Sequence, residues 1–157
     1  MIKNNVIRLL EARKIPHEAF ELPAEKLGAQ EIANLLGVPA GRVFKTIVIR
    51  RQSLRKPLLV VVPGDSEVDL KALASTLGEK KVYLPTEREA EALTGLQAGG
   101  ISPLALLNKG FQVVVDESAL EWESIHVSGG QRGLNIRLNP RDLIALCQAK
   151  VAKVSRR

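Results

Sequence analysis

The run Val43-Phe44-Lys45-Thr46-Ile47-Val48-Ile49 is rich in β-branched residues and largely apolar on both of its alternating faces. Such a run is typical of a strand that is covered on both sides, so it predicts a central strand of a sheet. The apolar run at 58–62 predicts the strand that returns from it. The two strands form a predicted hairpin, which is the two-stranded start of a sheet.

Lys45 interrupts this apolar run with a charge. Burying an ammonium group in a strand costs free energy unless the group reaches a cavity or an anion. Lys45 is therefore the first candidate for a functional residue. The alternative is that Lys45 lies at a strand end, where its aliphatic stem can carry the ammonium group to solvent.

The rest of the chain alternates between helical and strand patterns that glycine and proline separate. Helical spacing predicts helices at about 4–13, 30–36, 69–77, 86–94 and 139–150. The predicted caps are Asn4 or Asn5 for the first helix and Asp69 for the third, and Thr86 with Glu89 predicts a capping box for the fourth. Period-two alternation predicts further strands at about 17–22, 81–84, 112–115, 124–128 and 134–138. The predicted fold class is a mixed α/β (α+β) domain with helices around a curved, mostly antiparallel sheet.

Composition predicts one ordinary globular domain. The 157 residues are 45% hydrophobic and 25% charged, and this length is enough to bury a core without disulfides. The single cysteine fits a reducing compartment, and no apolar run approaches the ~20 residues needed to cross a bilayer. We therefore expect a cytoplasmic protein with no membrane partner. Aromatic residues make up only 3%, which argues against a stacking platform for single-stranded RNA.

The net charge of +6 favours a polyanionic partner. Part of this excess lies near the C-terminus, where the segment 141–157 holds five basic residues and one acidic residue. We accordingly divide the chain into a domain at 1–150 and a basic C-terminal tail at 151–157. The tail is either a patch that contacts phosphates or a solvated helix end.

The loop Gly99-Gly100-Ile101-Ser102-Pro103 is predicted to have a fixed shape. Two adjacent glycines reach backbone angles that are closed to other residues, and the serine and proline restrict the backbone that follows. Free N–H groups in such a loop form a concave donor site for a carbonyl oxygen or an anion. An ordinary turn is the alternative. A second glycine-rich turn begins at Ser128-Gly129-Gly130.

The sequence has no convincing pattern of a catalytic nucleophile or a metal site. Ser102 lacks the strand, elbow and helix of a nucleophilic serine, and we interpret it as a hydrogen-bonding loop residue. His126 alternates with Ile125 and Val127 in a predicted strand, which places it on the opposite face as a surface or rim residue. Cys147 is expected to be a buried small hydrophobe. No metal and no cofactor are predicted.

Three motifs together resemble the YbaK/EbsC family of aminoacyl-tRNA deacylases. They are Val43-Phe44-Lys45-Thr46, Gly99-Gly100-Ile101-Ser102-Pro103 and Val127-Ser128-Gly129-Gly130-Gln131-Arg132-Gly133-Leu134. The resemblance implies a compact domain with a barrel-like mixed sheet, related to the editing domain inserted in bacterial prolyl-tRNA synthetases. It also implies charged tRNA as a partner and prolyl-tRNA synthetase as a candidate second partner.

The resemblance also implies a site and a reaction. The implied catalytic residues are Lys45, Gly99 and Gly100, and the implied substrate-binding residues are Ile101, Ser102, Pro103, Ser128, Gly129, Gly130 and Asn135. The implied reaction is hydrolysis of the ester of a mischarged tRNA, above all Cys-tRNA(Pro) or Cys-tRNA(Cys). A water molecule or a group of the substrate would attack, without a protein nucleophile.

Three departures from the cysteinyl-specific pattern leave alternatives open. The glycine loop continues as Leu104-Ala105-Leu106-Leu107-Asn108-Lys109 rather than Leu-Gly-Gln-Lys. Leu22 and Asn135 stand where members of the family carry a tyrosine and an acid. One alternative is a deacylase for Ala-tRNA(Pro) or another small aminoacyl-tRNA. The other is a non-catalytic relative that binds tRNA or a synthetase.

Overall fold

The computed structural model describes residues 2–52 and 55–157, whose helices and strands lie close to the predicted ones. The helices are α1 (Asn5–Ala12), α2 (Ala29–Leu36), α3 (Leu70–Leu77), α4 (Glu87–Thr94) and α5 (Pro140–Cys147). The strands are β1 (His17–Glu21), β2 (Phe44–Arg51), β3 (Leu58–Pro63), β4 (Glu67–Val68), β5 (Val82–Tyr83), β6 (Gln112–Asp116), β7 (Ile125–Ser128), β8 (Leu134–Leu138), β9 (Lys150–Ala152) and β10 (Ser155–Arg156).

The predicted capping residues begin the helices. The Asn4 side chain accepts a hydrogen bond from the Ile7 N–H at the start of α1, at 3.0 Å. Asp69 caps α3 in the same way. Thr86 and Glu89 form the predicted capping box of α4. Each bond satisfies an N–H group that the first helical turn leaves without a partner, so these helix starts follow from the local sequence.

The described strands form three sheets. Their orders are β5-β2-β3-β6-β9, β1-β8-β7 and β10-β4. β2 and β3 pair antiparallel, as predicted for the hairpin, whereas β3, β6 and β9 run parallel. An isolated parallel bridge between Val43 and His126 links the start of β2 to β7. The predicted fold class of a mixed, mostly antiparallel α+β domain is confirmed, although the strands are divided among three sheets rather than joined in one closed barrel.

The five-stranded sheet is covered on both faces, which explains its uniformly apolar strands. One face carries Phe44 and Val48 and packs into a core shared with the three-stranded sheet, α1 and α5. The other face carries Ile49 and Val60 and packs against Leu73 of α3. Every residue of β3 is buried. The prediction that β2 is a central strand is therefore confirmed, since β2 and β3 lie inside the five-stranded sheet.

The C-terminal segment is more structured than the sequence suggested. α5 ends at Cys147 rather than near Lys150, and Gln148 takes left-handed backbone angles with a φ of 49°. The chain then returns as β9 and β10. Between them Val154 is fully buried and donates its N–H to Asp116 Oδ1 at 2.9 Å. The basic segment 151–157 thus contributes to the core, and its strands are too short to show an alternating pattern.

We expect Val154→Ala to lower the free energy of unfolding by about 2 kcal/mol, because it removes two buried methyl groups and leaves a cavity. Urea denaturation followed by circular dichroism measures this change. The exposed neighbour Lys153→Ala is the matched control and should stay within about 0.5 kcal/mol of the parent protein. Equal stability of the two variants would show that the segment adds nothing to the core.

Candidate active site

A cavity of about 420 Å³ lies along the outer edge of β2. The six consecutive residues 43–48 all line it. Side chains of a strand alternate between its two faces, so one face alone cannot supply six consecutive lining residues. The strand therefore presents its backbone edge to the cavity.

This edge is open because β5 covers only the far end of β2. β5 pairs with β2 only at Arg50 and Arg51, opposite Tyr83 and Val82. Continued in the same register, the pairing would place Pro85 opposite Val48. Proline has no N–H to donate to a ladder, and the chain instead turns into α4. Beyond the bridge of Val43 with His126 at the start of β2, no described strand pairs with this edge over residues 44–49, so the edge faces the cavity.

Segments that are distant in sequence form the walls of the cavity. One wall is the loop 22–28 with the start of α2, and the second is the segment 84–90. The third combines the loop 98–101 with the facing ends of β7 and β8. Most of the lining side chains are apolar. The volume falls within the range of about 300–1,000 Å³ that is typical of ligand sites in proteins.

Lys45 lines this cavity near the start of β2 and is partly buried. Within the described ranges its ammonium group makes no hydrogen bond and no ion pair. The other charged lining residues are Glu25, Lys26 and Glu87. Lys26 and Glu87 pair with each other at the rim, where more than half of each side chain is exposed. Lys45 is therefore the cation that remains available to an anionic group of a ligand.

The glycine loop reaches the cavity through Gly99 and Ile101. Their backbone N–H groups have no hydrogen-bond partner in the part of the chain that the structure describes. Gly99 has a φ of 87°, which glycine adopts without steric cost. Gly100 lies behind them: it is buried, does not line the cavity, and donates its N–H to the Gln97 carbonyl at 2.8 Å. The available donors of the loop are thus Gly99 and Ile101, not Gly100.

Ser102 and Pro103 support this loop from inside the protein and do not line the cavity. Ser102 is fully buried, and its Oγ accepts the Leu104 N–H at 3.1 Å. Pro103 begins a short 3₁₀ turn that ends at Leu106. Both residues therefore fix the shape of the loop rather than contact a ligand in the cavity.

In the second glycine turn Ser128 and Gly133 line the cavity, whereas Gly129 and Gly130 do not. Its Oγ accepts the Gly130 N–H at 3.2 Å. Gly129 donates its N–H to the Leu134 carbonyl at 2.9 Å, and the Gly129 carbonyl accepts from the Asn4 side chain at 2.8 Å. Gly129 and Gly130 thus join the turn to the start of α1 and support the part of the wall that Ser128 lines.

The two glycine loops hold each other in place. Arg132 Nε donates to the Ala98 carbonyl at 2.7 Å, which ties the second loop to the first. A side chain at Gly100 would begin 2.9 Å from backbone atoms of Gln131, so only glycine allows this approach. The motifs that the sequence presented separately therefore form one rigid wall of the cavity.

His126 is buried, so its prediction as a surface or rim residue is wrong. Its side chain is 1% exposed and packs beside the ring of Phe20, with 5.5 Å between the ring centroids. β7 is covered on both faces, and for this reason alternation along it does not separate buried from exposed residues. His126 Nδ1 lies 2.9 Å from Asn135 Oδ1, and Asn135 lines the cavity. Burial lowers the pKa of His126 below its ordinary value, which keeps the ring neutral at pH 7.

Sequence reasoning missed the pair of His126 with Asn135 and the rim pair of Lys26 with Glu87. The partners of the rim pair are 61 residues apart, and no local spacing rule connects them. The turn 129–133 did carry a signal for the pair of His126 with Asn135. Antiparallel pairing around that turn places His126 opposite Arg137, so Asn135 becomes its diagonal neighbour.

The cavity offers no activated protein nucleophile. Its lining hydroxyls are Thr46 and Ser128, and no histidine, cysteine or tyrosine lines it beside them. Burial raises the pKa of the Cys147 thiol to about 12, so this thiol stays protonated. Within residues 2–52 and 55–157, no cluster of three His, Cys, Asp or Glu side chains could hold a metal ion. No helix of the same ranges is long and apolar enough to cross a membrane.

Comparison with known proteins connects this cavity to a family. The model of the aminoacyl-tRNA editing domain matches residues 24–146, which include almost all of the lining residues. A proposed Cys-tRNA(Pro)/Cys-tRNA(Cys) deacylase, EbsC, of Enterococcus faecalis is 36% identical over 155 residues, which are 98% of this chain and 93% of that protein.

Two further proteins are similar to the chain. A proline–tRNA ligase of Pelotomaculum thermopropionicum is 29% identical over 112 residues, which are 71% of this chain but only 19% of the ligase. A crystal structure of a proposed trans-editing enzyme for prolyl-tRNA synthetase has a TM-score of 0.81 at 26% identity and covers 100% of both chains. These matches agree with the fold that the described residues adopt.

The contact between the glycine loops predicts a loss of stability when Gly100 is replaced. Gly100→Ala should lower the free energy of unfolding by about 1–3 kcal/mol, because the new Cβ must displace the Gln131 backbone. Gly28→Ala is the control, since its Cβ would meet only the Glu31 side chain, at 3.5 Å. Equal unfolding midpoints for the two variants in a urea titration would contradict the tight contact.

Proposed function

The chain belongs to the aminoacyl-tRNA editing domain family, and from this premise we propose that it is a trans-acting deacylase that hydrolyses the ester of a mischarged aminoacyl-tRNA. The observation that carries the proposal is the cavity beside β2, which combines a cation and two backbone donors that have no partner among residues 2–52 and 55–157. An aminoacyl ester at the end of a tRNA offers the matching groups, namely a phosphate and a carbonyl oxygen. A substrate used in translation also places the enzyme in the cytoplasm.

The reaction needs a polarised carbonyl and a positioned attacker. We assign the N–H groups of Gly99 and Ile101 to the ester carbonyl oxygen, where they stabilise the negative charge that develops during attack. Water attacks the carbonyl carbon, the bond between the acyl group and the ribose oxygen breaks, and that oxygen leaves with a proton. In a cysteinyl ester the substrate's own thiol is the alternative attacker. Gly100 acts by holding Gly99 and Ile101 in this geometry.

Lys45 is assigned to the terminal phosphate of the tRNA. An ammonium group is a compact point charge that suits a phosphate, and Lys45 has no protein anion to give up on binding. The remaining predicted substrate-binding residues divide by position. Ile101, Ser128 and Asn135 contact the aminoacyl end from the cavity wall. Ser102, Pro103, Gly129 and Gly130 shape that wall from behind.

We propose Cys-tRNA(Pro) or Cys-tRNA(Cys) as the first substrate to test, because the protein 36% identical to this chain carries that name. Ala-tRNA(Pro) is the alternative. The apolar lining, including Leu22, accepts either small side chain, and groups that differ by about one heavy atom change binding by only ~1–3 kcal/mol. Release of the amino acid from each charged tRNA separates these substrates. Binding of tRNA without any release would identify a non-catalytic relative.

Charged tRNA is the proposed partner, and prolyl-tRNA synthetase is a second one, suggested by the similarity to a proline–tRNA ligase. We propose that the basic segment 151–157, together with Lys150, helps to hold the body of the tRNA. Its cations differ in their surroundings. Arg156 and Arg157 lie near Glu67 and Asp65, at 3.6 and 3.7 Å, whereas Lys150 and Lys153 are exposed and make no ion pair with a described residue.

Lys45→Ala should lower kcat/KM for deacylation by at least about 10²-fold, the loss expected for one preorganised electrostatic contact. Its stability should change little, because the ammonium group has no protein partner. The rim variant Lys26→Ala is the control and should stay within about threefold of the parent protein, since it removes only an exposed ion pair. A folded Lys45→Ala protein with parental turnover on every charged tRNA would remove Lys45 from the site.

Substitutions that remove charge, rather than a deletion, test whether the segment 151–157 binds tRNA, because a deletion would also remove the buried Val154. The double variant Lys150→Gln/Lys153→Gln should weaken tRNA binding and flatten the slope of log affinity against log salt by about 0.9 for each duplex phosphate that is no longer neutralised. Arg156→Gln/Arg157→Gln is the comparison and should change the slope less, because these cations already face acids. An unchanged slope in the first variant would make the segment purely structural.

A further inference from the structure

His126 of β7 is a buried titratable side chain that has no role in the proposed reaction. It is 1% exposed, and it lies at the bridge that joins β7 to Val43 at the start of β2. Its hydrogen-bond partner is the Asn135 side chain, and its Nε2 is sealed from solvent without any partner within the described residues. A buried nitrogen without a partner costs free energy, so its protonation state is strongly constrained.

The contacts of His126 determine where its proton lies. Nδ1 faces the oxygen of an amide at 2.9 Å, and only a protonated Nδ1 can donate to it. If the proton were on Nε2 instead, this N–H would be a buried donor without an acceptor. The lone pair of Nδ1 would then face a lone pair of Asn135 Oδ1. A proton on both nitrogens would add a buried charge. The ring is therefore neutral, with its hydrogen on Nδ1.

The charged groups around the ring also favour the neutral form. Burial is the largest cause of the lowered pKa of His126, and the positive charges of Arg42 and Arg137 lower it further. The bond to Asn135 and the negative charge of Glu18 act in the opposite direction. Arg137 and Glu18 form an ion pair with each other, so their opposite effects on the pKa of His126 partly cancel. The neutral state of His126 thus rests mainly on burial, and the bond to Asn135 selects its tautomer.

This arrangement orients Asn135. Because His126 donates to Oδ1, the Nδ2 amino group must point the other way. Asn135 lines the cavity, and Nδ2 has no partner among the described residues, yet it is not one of the atoms sealed from solvent. The amino group therefore faces the cavity as a hydrogen-bond donor.

We propose that His126 is a positioning residue, which holds the Asn135 amide so that its amino group donates into the cavity to an acceptor atom of the bound aminoacyl group. The identity of that acceptor rests on the proposed deacylase function, whereas the orientation of the amide does not. An acid at position 135 would instead accept hydrogen bonds and attract an ammonium group. With Asn135 in place of an acid, this wall of the cavity favours an aminoacyl group that presents a hydrogen-bond acceptor, either an oxygen or an unprotonated amine.

A double-mutant cycle tests whether His126 acts through Asn135. His126→Phe keeps a ring of similar size but cannot donate, and it should lower kcat/KM for deacylation about tenfold, the effect of one hydrogen bond to a neutral group. His126→Asn places an amide nitrogen near the position of Nδ1 and should restore most of this activity. In an Asn135→Ala background, His126→Phe should cause no further decrease. Additive decreases in the cycle, or parental kcat/KM in folded His126→Phe, would overturn the proposal.

A second measurement is independent of activity. The chain has two histidines, so ¹⁵N NMR of the imidazoles, with His17→Gln for assignment, reports the tautomer of His126. We expect the neutral Nδ1–H form at pH 7 with a lowered pKa of His126, and a raised pKa of His126 in Asn135→Asp, whose carboxylate favours the imidazolium ion. An Nε2–H tautomer, or titration near the ordinary pKa of about 6.5, would overturn the proposal. If the parent protein deacylates no tRNA, the proposed deacylase function is wrong. The spectrum would still show whether His126 donates to Asn135 and so orients its amide.

Discussion

The candidate site depends on one interruption in the pairing of β2. On one edge β2 pairs with β3 over its apolar length, and on the other it meets β5 at only two residues, Arg50 and Arg51. Pro85 explains why the ladder stops, since it has no N–H to donate. A longer β5 would occupy the space that is now the cavity. The same strand that anchors the core therefore also provides the floor of the site.

Rigid walls around this opening require contacts between distant segments. The glycine loops are joined by the bond from Arg132 to Ala98 and by the close approach of Gly100 to Gln131. These contacts leave Gly99 and Ile101 as free donors in fixed positions. Preorganised donors of this kind stabilise a developing oxyanion without the cost of reorganising during the reaction. Of the glycines in the two motifs, Gly99 and Gly133 line the cavity, and the others support its wall from behind.

Local sequence rules predicted the elements of the fold better than the contacts of the site. The β2 and β3 hairpin, the Asn4 cap and the Thr86 capping box depend on neighbouring residues, and the structure confirms them. Burial of His126 depends on how two sheets pack, which alternation within one strand cannot report. The free donors also depend on a tertiary detail, because the Gln97 carbonyl takes the Gly100 N–H. That the loops meet beside Lys45 was implied by the family resemblance rather than by spacing.

The central claim is that the cavity beside β2 hydrolyses the ester of a mischarged tRNA. The most direct measurement is the rate at which the purified protein releases labelled amino acid from Cys-tRNA(Pro), Ala-tRNA(Pro) and correctly charged Pro-tRNA(Pro). We expect release from at least one mischarged tRNA to exceed the spontaneous rate by about 10²-fold or more, while the correctly charged control Pro-tRNA(Pro) should decay at the spontaneous rate, as an editing function requires. Decay of all three at the spontaneous rate would contradict the account.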